Sequence, residues 1–119
     1  MDLQYDLKND HLFVVARGAF VPAEASEGLA YMIGVCEAKA ISRIFVDGRL
    51  ITTPVSIADR FDIATQLASM APASLLMAIL VSPENMISKT LENTAANRGA
   101  QVRTTDSANE AWDYLGLDP

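Results

Sequence analysis

A chain of 119 residues, half of them hydrophobic and a fifth charged, has the profile of one globular domain, residues 1–119, with enough length to bury a real core. A formal net charge of −6, with nine basic residues scattered along the chain, argues against a nucleic-acid partner and against membrane adsorption through basic residues. The longest apolar run, Leu75 to Val81, is too short to span a bilayer, and Met1-Asp2-Leu3-Gln4 does not open a secretory leader. With a single cysteine excluding an internal disulfide, these features predict a cytoplasmic protein without an integral membrane segment.

The first element is a β-hairpin. Leu3, Tyr5 and Leu7 alternate with polar residues, Asn9-Asp10 supplies a turn, and Leu12-Phe13-Val14-Val15-Ala16 forms a β-rich run that ends near Gly18. Pro22 suits the first position of a helix on which Ala25, Leu29, Met32, Ile33 and Cys36 recur at helical spacing. Gly28 and Gly34 weaken that helix by about 1 kcal/mol each relative to alanine, unless they permit close packing on a sheet. Arg43 to Asp47 reads as a buried strand that Gly48 breaks. Ser56 with Asp59 makes a capping-box-like start to a helix whose apolar stripe is Ile57, Phe61, Ala64, Leu67 and Ala68, and Pro72 ends it.

Leu75 to Val81 is the continuous run expected of a central strand covered on both faces. Ser82-Pro83-Glu84 starts a further helix continued by Ile87, Leu91 and Ala95, with Gly99 as its left-handed cap. A short strand, Gln101 to Thr104, precedes a last helix opened by Asp106-Ser107 and Glu110. It carries Ala108, Ala111, Trp112 and Leu115 and is closed by Gly116. The predicted order is β-β-α-β-α-β-α-β-α. That order specifies an α/β domain with a mostly parallel sheet, an N-terminal antiparallel hairpin and helices packed on it.

The site chemistry is sparse. His11 and Cys36 are the only residues of their kinds, so the chain cannot assemble the usual zinc ligand set, and no calcium-loop spacing occurs. His11 beside the turn reads as a solvated residue, and Cys36 as a small core residue. The chain has no Gly-x-Ser-x-Gly elbow, no Gly-x-Gly-x-x-Gly and no Gly-Lys-Ser/Thr, so no nucleotide cofactor or other cofactor is expected. Asp47 at a strand end invites comparison with a receiver-domain phosphoacceptor. Gly18-Ala19-Phe20 lacks the further carboxylates such a site needs, and Thr104-Thr105 lacks the lysine.

What remains is the stretch from Asp47 to Arg60. Two readings of Asp47 stand: a ligand or partner contact beyond a strand end, or a carboxylate satisfying its own loop. Thr52, Thr53 and Ser56 lie where helix-start N–H groups favour an anion, although Ser56 also reads as a plain helix cap. Asp59-Arg60 reads as a solvated pair on the first helical turn, with Arg60 able to anchor an anion. Arg98 beside Gly99 has similar standing. Met32, Met70, Met77 and Met86 offer either adaptable apolar surface or ordinary core.

Phe45-Val46-Asp47-Gly48 with Ser56-Ile57-Ala58-Asp59-Arg60-Phe61, Asn97-Arg98-Gly99-Ala100-Gln101-Val102-Arg103, and Glu110-Ala111-Trp112-Asp113-Tyr114-Leu115 together resemble the STAS-type domains of sulfate transporters and anti-sigma factor antagonists. The chain is particularly similar to the SpoIIAA-like group of small bacterial proteins, over nearly its whole length. The resemblance implies a non-enzymatic regulatory or protein-interaction module. Its surface would comprise Asp47, Gly48, Thr52, Thr53, Ser56, Asp59 and Arg60, with Ser56 as the candidate phosphorylation site and no catalytic residue. Where that family has Asp-Ser-Ser-Gly, this chain has Val55-Ser56-Ile57-Ala58. The SpoIIAA-like group also resembles part of the CRAL-TRIO lipid-transfer fold, which implies the alternative of a carrier for a small apolar ligand or lipid. Self-association through the hairpin edge or the Trp112 helix is a further option.

Overall fold

The computed structural model describes residues 1–86, 93 and 99–119. β1 (Asp2–Leu7) and β2 (Leu12–Gly18) form the predicted hairpin, closed by Lys8 N donating to the His11 carbonyl at 2.9 Å. α1 (Pro22–Lys39) follows, then β3 (Arg43–Ile51), α2 (Ile57–Met70) and β4 (Leu76–Leu80). A single 3-10 turn (Pro83–Asn85) succeeds β4, and the chain ends with β5 (Gln101–Thr105) and α3 (Ala108–Leu115). The predicted helix through Ile87, Leu91 and Ala95, and the candidate Arg98, lie outside the described residues. Gly99 has the positive φ, +88°, expected of a left-handed position.

Among the described residues, five strands form one mixed sheet in the order β1-β2-β3-β4-β5. Only β1 and β2 run antiparallel, and β2 through β5 are parallel. The period-2 alternation of β-strands sends Leu12, Val14, Ile44, Met77 and Val102 to one face. There they pack on Leu29, Met32, Ile33 and Cys36 of α1 and on Ala64 and Leu67 of α2. The other face presents Phe45, Ala78 and Leu80 to Ala111 and Leu115 of α3. Met77 and Ala78 thus belong to opposite cores, as a continuous apolar run implies. On the α3 side an aromatic stack forms, with ring centroids 5.2 Å apart for Phe13–Phe45 and 4.4 Å for Phe45–Trp112.

Several sequence expectations need correction. The strand expected to stop at Asp47 runs on to Ile51. β2 still offers it a partner there, after its pairing with β4 has ended at Asp47 and Leu80. Val15 faces Asp47 while Arg17 faces Leu50, so β3 carries one extra residue around Gly48-Arg49. Gly48 therefore marks a bulge rather than a strand end. A Cβ on Gly48 would stand 3.3 Å from the Leu80 carbonyl oxygen, which explains why a residue without one sits there. His11 is buried rather than solvated, since Trp112 covers it edge-on at 5.4 Å while its Nδ1 meets Asp10 Oδ1 at 2.6 Å.

The α2 stripe is also rotated. Ala64 and Leu67 are buried as expected, but Ile57 and Phe61 are 64% and 43% exposed and Arg60 is buried in their place. Of the two α1 glycines, Gly28 packs against Leu3 and Tyr5 of β1, whereas Gly34 has open space where a Cβ would stand.

Candidate functional site

At the carboxyl ends of the parallel strands, the helical layer and the sheet line a partly open cavity of about 150 Å³. In open parallel α/β sheets this end is where ligands bind. Its floor comes from Ala16 of β2, Val46 and Gly48 of β3, and Met77 and Ile79 of β4. Ala25, Leu29 and Met32 of α1 and Ile63 of α2 form the roof. Leu3, Phe20, Ile51, Val55 and Val81 close much of the rim. The polar side chains at its wall are those of Arg60, Asn85 and Thr104.

Arg60 and Asn85 are both held by the backbone of Val55, through its two flanking peptide groups. Arg60 Nε donates to the Val55 carbonyl at 3.0 Å, and the Val55 N–H donates to Asn85 Oδ1 at 3.3 Å. Both side chains are buried, with 7% of each residue's surface exposed. Ser56 fixes the entry of α2 by accepting from the Asp59 N–H at 3.1 Å, and Thr53 ties the loop to the β2–α1 connection by accepting from Phe20 N–H at 2.9 Å. The Ser56 bond satisfies a donor at the start of α2 and the Thr53 bond pins the preceding loop, and on the first turn of the helix so held Arg60 turns inward instead of Ile57. Among the described residues, no carboxylate lies within 4.0 Å of the Arg60 guanidinium.

Asp47 does not join this group. It falls between Val46 and Gly48, which line the cavity, and so stands on the opposite face of the sheet. Its carboxylate accepts from Arg49 three times: from Nε at 3.0 Å, from Nη2 at 2.8 Å and from the backbone N–H at 3.1 Å. Burial pushes its carboxyl upward, but these hydrogen bonds and the Arg49 charge outweigh burial and hold it below the ordinary carboxylate range. Of the seven residues singled out in sequence, Gly48 and Arg60 line the cavity. Thr52, Thr53 and Ser56 are exposed on the loop above it, Asp59 is half-buried, and Asp47 faces away. The structure therefore separates Asp47 from Arg60.

Sequence reasoning missed Asn85. The available signal was its position just past a buried parallel strand, where polar residues tend to serve a site. Cys36, the expected core residue, is buried. Burial pushes its thiol up to about 11, so it is not a ready nucleophile at neutral pH. Among the described residues, no group of three or more His, Cys, Asp or Glu side chains could hold a metal ion, and no helix is long and apolar enough to cross a membrane. No family model and no curated protein matches the chain.

Proposed function

We propose that this chain is a non-enzymatic binding module that takes a small apolar molecule into the cavity between α1, α2 and the sheet. The observation that carries the reading is the cavity itself: about 150 Å³ of space at the carboxyl end of a parallel sheet, lined mostly by aliphatic side chains and methionines. An apolar cavity of this size, roughly 150 Å³, accommodates a benzene-sized molecule. Met32 and Met77 on opposite walls give the lining an adaptable, polarizable surface. The hairpin-first order of elements and the Phe45–Gly48 and Ser56–Phe61 segments support placing the module in a SpoIIAA-like, STAS-type arrangement.

Two measurements test this: native mass spectrometry of the purified chain, and a fluorine NMR titration with fluorobenzene. The expected result is saturable fluorobenzene binding that disappears in Ala25→Leu, which adds three carbons to the roof. A bare chain by mass spectrometry together with unsaturable fluorobenzene lines would refute the reading.

The outer surface favours a second reading, a protein-interaction module. Ile57 and Phe61, one turn apart on the outward side of α2 just past the capping Ser56, are 64% and 43% exposed. Large apolar side chains grouped on a surface commonly mark a docking site. If that surface binds a partner, Ile57→Asp abolishes capture of the partner while leaving fluorobenzene binding intact. Equal capture by wild type and variant rejects it.

A further inference from the structure

We propose that the cavity takes a small hydrophobic monocarboxylate, with its carboxylate held by Arg60 and Asn85 and its apolar body lying between Leu29, Met32 and Met77. The inference rests on the small-ligand reading above and names the chemistry of that ligand. Arg60 is the anchor. An arginine side chain keeps its charge inside proteins, and a buried charge is costly unless paired. Among the described residues Arg60 has no carboxylate partner, and its one protein acceptor is the Val55 carbonyl, reached through Nε. That leaves the two Nη groups of a planar donor fork available at the wall of an apolar space.

Asn85 adds amide donors at the same cavity wall. Its Oδ1 is already engaged by the Val55 N–H, which orients the side chain and turns Nδ2 into the group left to donate. Two donor groups anchored on the backbone of one residue, Val55, suit the two oxygens of a carboxylate, a partner for which the arginine fork is particularly fitted. A monoanion brings the local charge to zero, whereas a dianion leaves a second charge unpaired among aliphatic walls. The body must be small and apolar, because the rest of the lining offers Leu29, Met32, Ile63, Met77 and similar side chains. A phenyl ring or a short acyl chain fits a space of this size.

The test compares benzoate with benzamide, its neutral counterpart of the same shape, at neutral pH by calorimetric or NMR titration. Wild type is expected to bind benzoate at least tenfold more tightly than benzamide. Arg60→Met is expected to bring the ratio close to one. Asn85→Asp, which installs a carboxylate beside Arg60, is expected to weaken benzoate at least tenfold more than it weakens benzamide. Thermal melts of each variant report whether it folds, and the wild-type ratio needs no variant at all. Equal wild-type affinity for the two probes overturns the carboxylate assignment while leaving the cavity reading standing. Failure of both probes, together with fluorobenzene, overturns the cavity reading as well.

Discussion

Replacing Arg60 by methionine is expected to make the folded protein more stable. The side chain is buried, and among the described residues it has no counter-ion. After relaxation, burial of an unpaired ion still costs several kcal/mol, here taken as about 3–5 because Arg60 is 7% exposed and its Nη groups border the cavity rather than packed protein. Against this stands the Nε–Val55 hydrogen bond, worth roughly 1.5–3 kcal/mol because its donor is charged. Methionine retains much of the aliphatic stem, so the packing on Ile63 and Val55 is largely preserved. The net expectation is a gain of about 1–2 kcal/mol. For a chain of this length that corresponds to a rise in Tm of roughly 3–10 °C. Urea unfolding followed by far-UV circular dichroism measures it directly: the midpoint should rise with the slope unchanged. A structural arginine behaves in the opposite way. A loss greater than about 1 kcal/mol would show that Arg60 is satisfied in the folded state, and would remove the argument that it waits for an anion. Stabilisation on deleting a buried charge is the pattern of a residue kept for binding at a cost to the fold.

Gly28→Ala sets a gain of about 1 kcal/mol in helix propensity against overlap with Leu3 Cδ1 and close approach to Tyr5 Oη, where overpacking costs roughly 1–3 kcal/mol. The expected net is a destabilisation of about 1 kcal/mol with weaker fluorobenzene binding, because Leu3 lines the cavity and its displacement alters that wall, and calorimetric melts with a probe titration check both. Ala40, the C-cap of α1, holds φ at 55°, so Ala40→Gly is expected to stabilise by about 0.5–1 kcal/mol in urea unfolding. The Cys36 thiol, raised by burial from 9.0 to about 11, stays protonated in the folded state at pH values where the unfolded chain already releases its proton. Its contribution to stability is therefore present below pH 9.0 and lost as pH climbs to about 11, and Cys36→Ala should flatten that part of the stability–pH curve. Trp112→Ala opens the stack on Phe13 and Phe45 and uncovers His11, at an expected cost of about 3 kcal/mol by chemical denaturation.

The elements whose boundaries were legible in sequence are those whose burial is unambiguous. Leu75 to Val81 is apolar on both faces, and the strand it forms lies between the two cores. Leu29, Met32, Ile33 and Cys36 keep a single helical stripe and are all buried. Ser107 and Gly116 bracket α3 by chemistry that acts within a few residues: a hydroxyl accepting from Glu110 N–H at 3.3 Å and a glycine at φ 70°. Local signals of this kind need no knowledge of the tertiary structure. The continuation of β3 past Gly48 was not local. It depends on β2 extending far enough to pair with Leu50 and Ile51, which the residues around Gly48 do not encode.

The misreading of α2 carries the functional lesson. Two stripes coexist on that helix. One runs through Ile57, Phe61, Ala64, Leu67 and Ala68, and the other through Arg60, Ile63, Ala64 and Leu67, with Ala64 and Leu67 shared between them. Hydrophobicity alone selects the first, because it has Ile57 and Phe61 where the second has a cation. The fold adopts the second, with Ser56 capping the helix and Val55 accepting from Arg60. A helix that turns an arginine into an apolar space and leaves an isoleucine and a phenylalanine in solvent violates the rule by which helices normally bury themselves. Such violations are expected at functional sites rather than in scaffolding. Here the same rotation has two consequences: it places a charge inside the cavity and apolar side chains outside it. Arg60 on the inner side and Ile57 and Phe61 on the outer side lie within the first five residues of α2, so the two proposed binding surfaces share the start of one helix, fixed by the Ser56 cap.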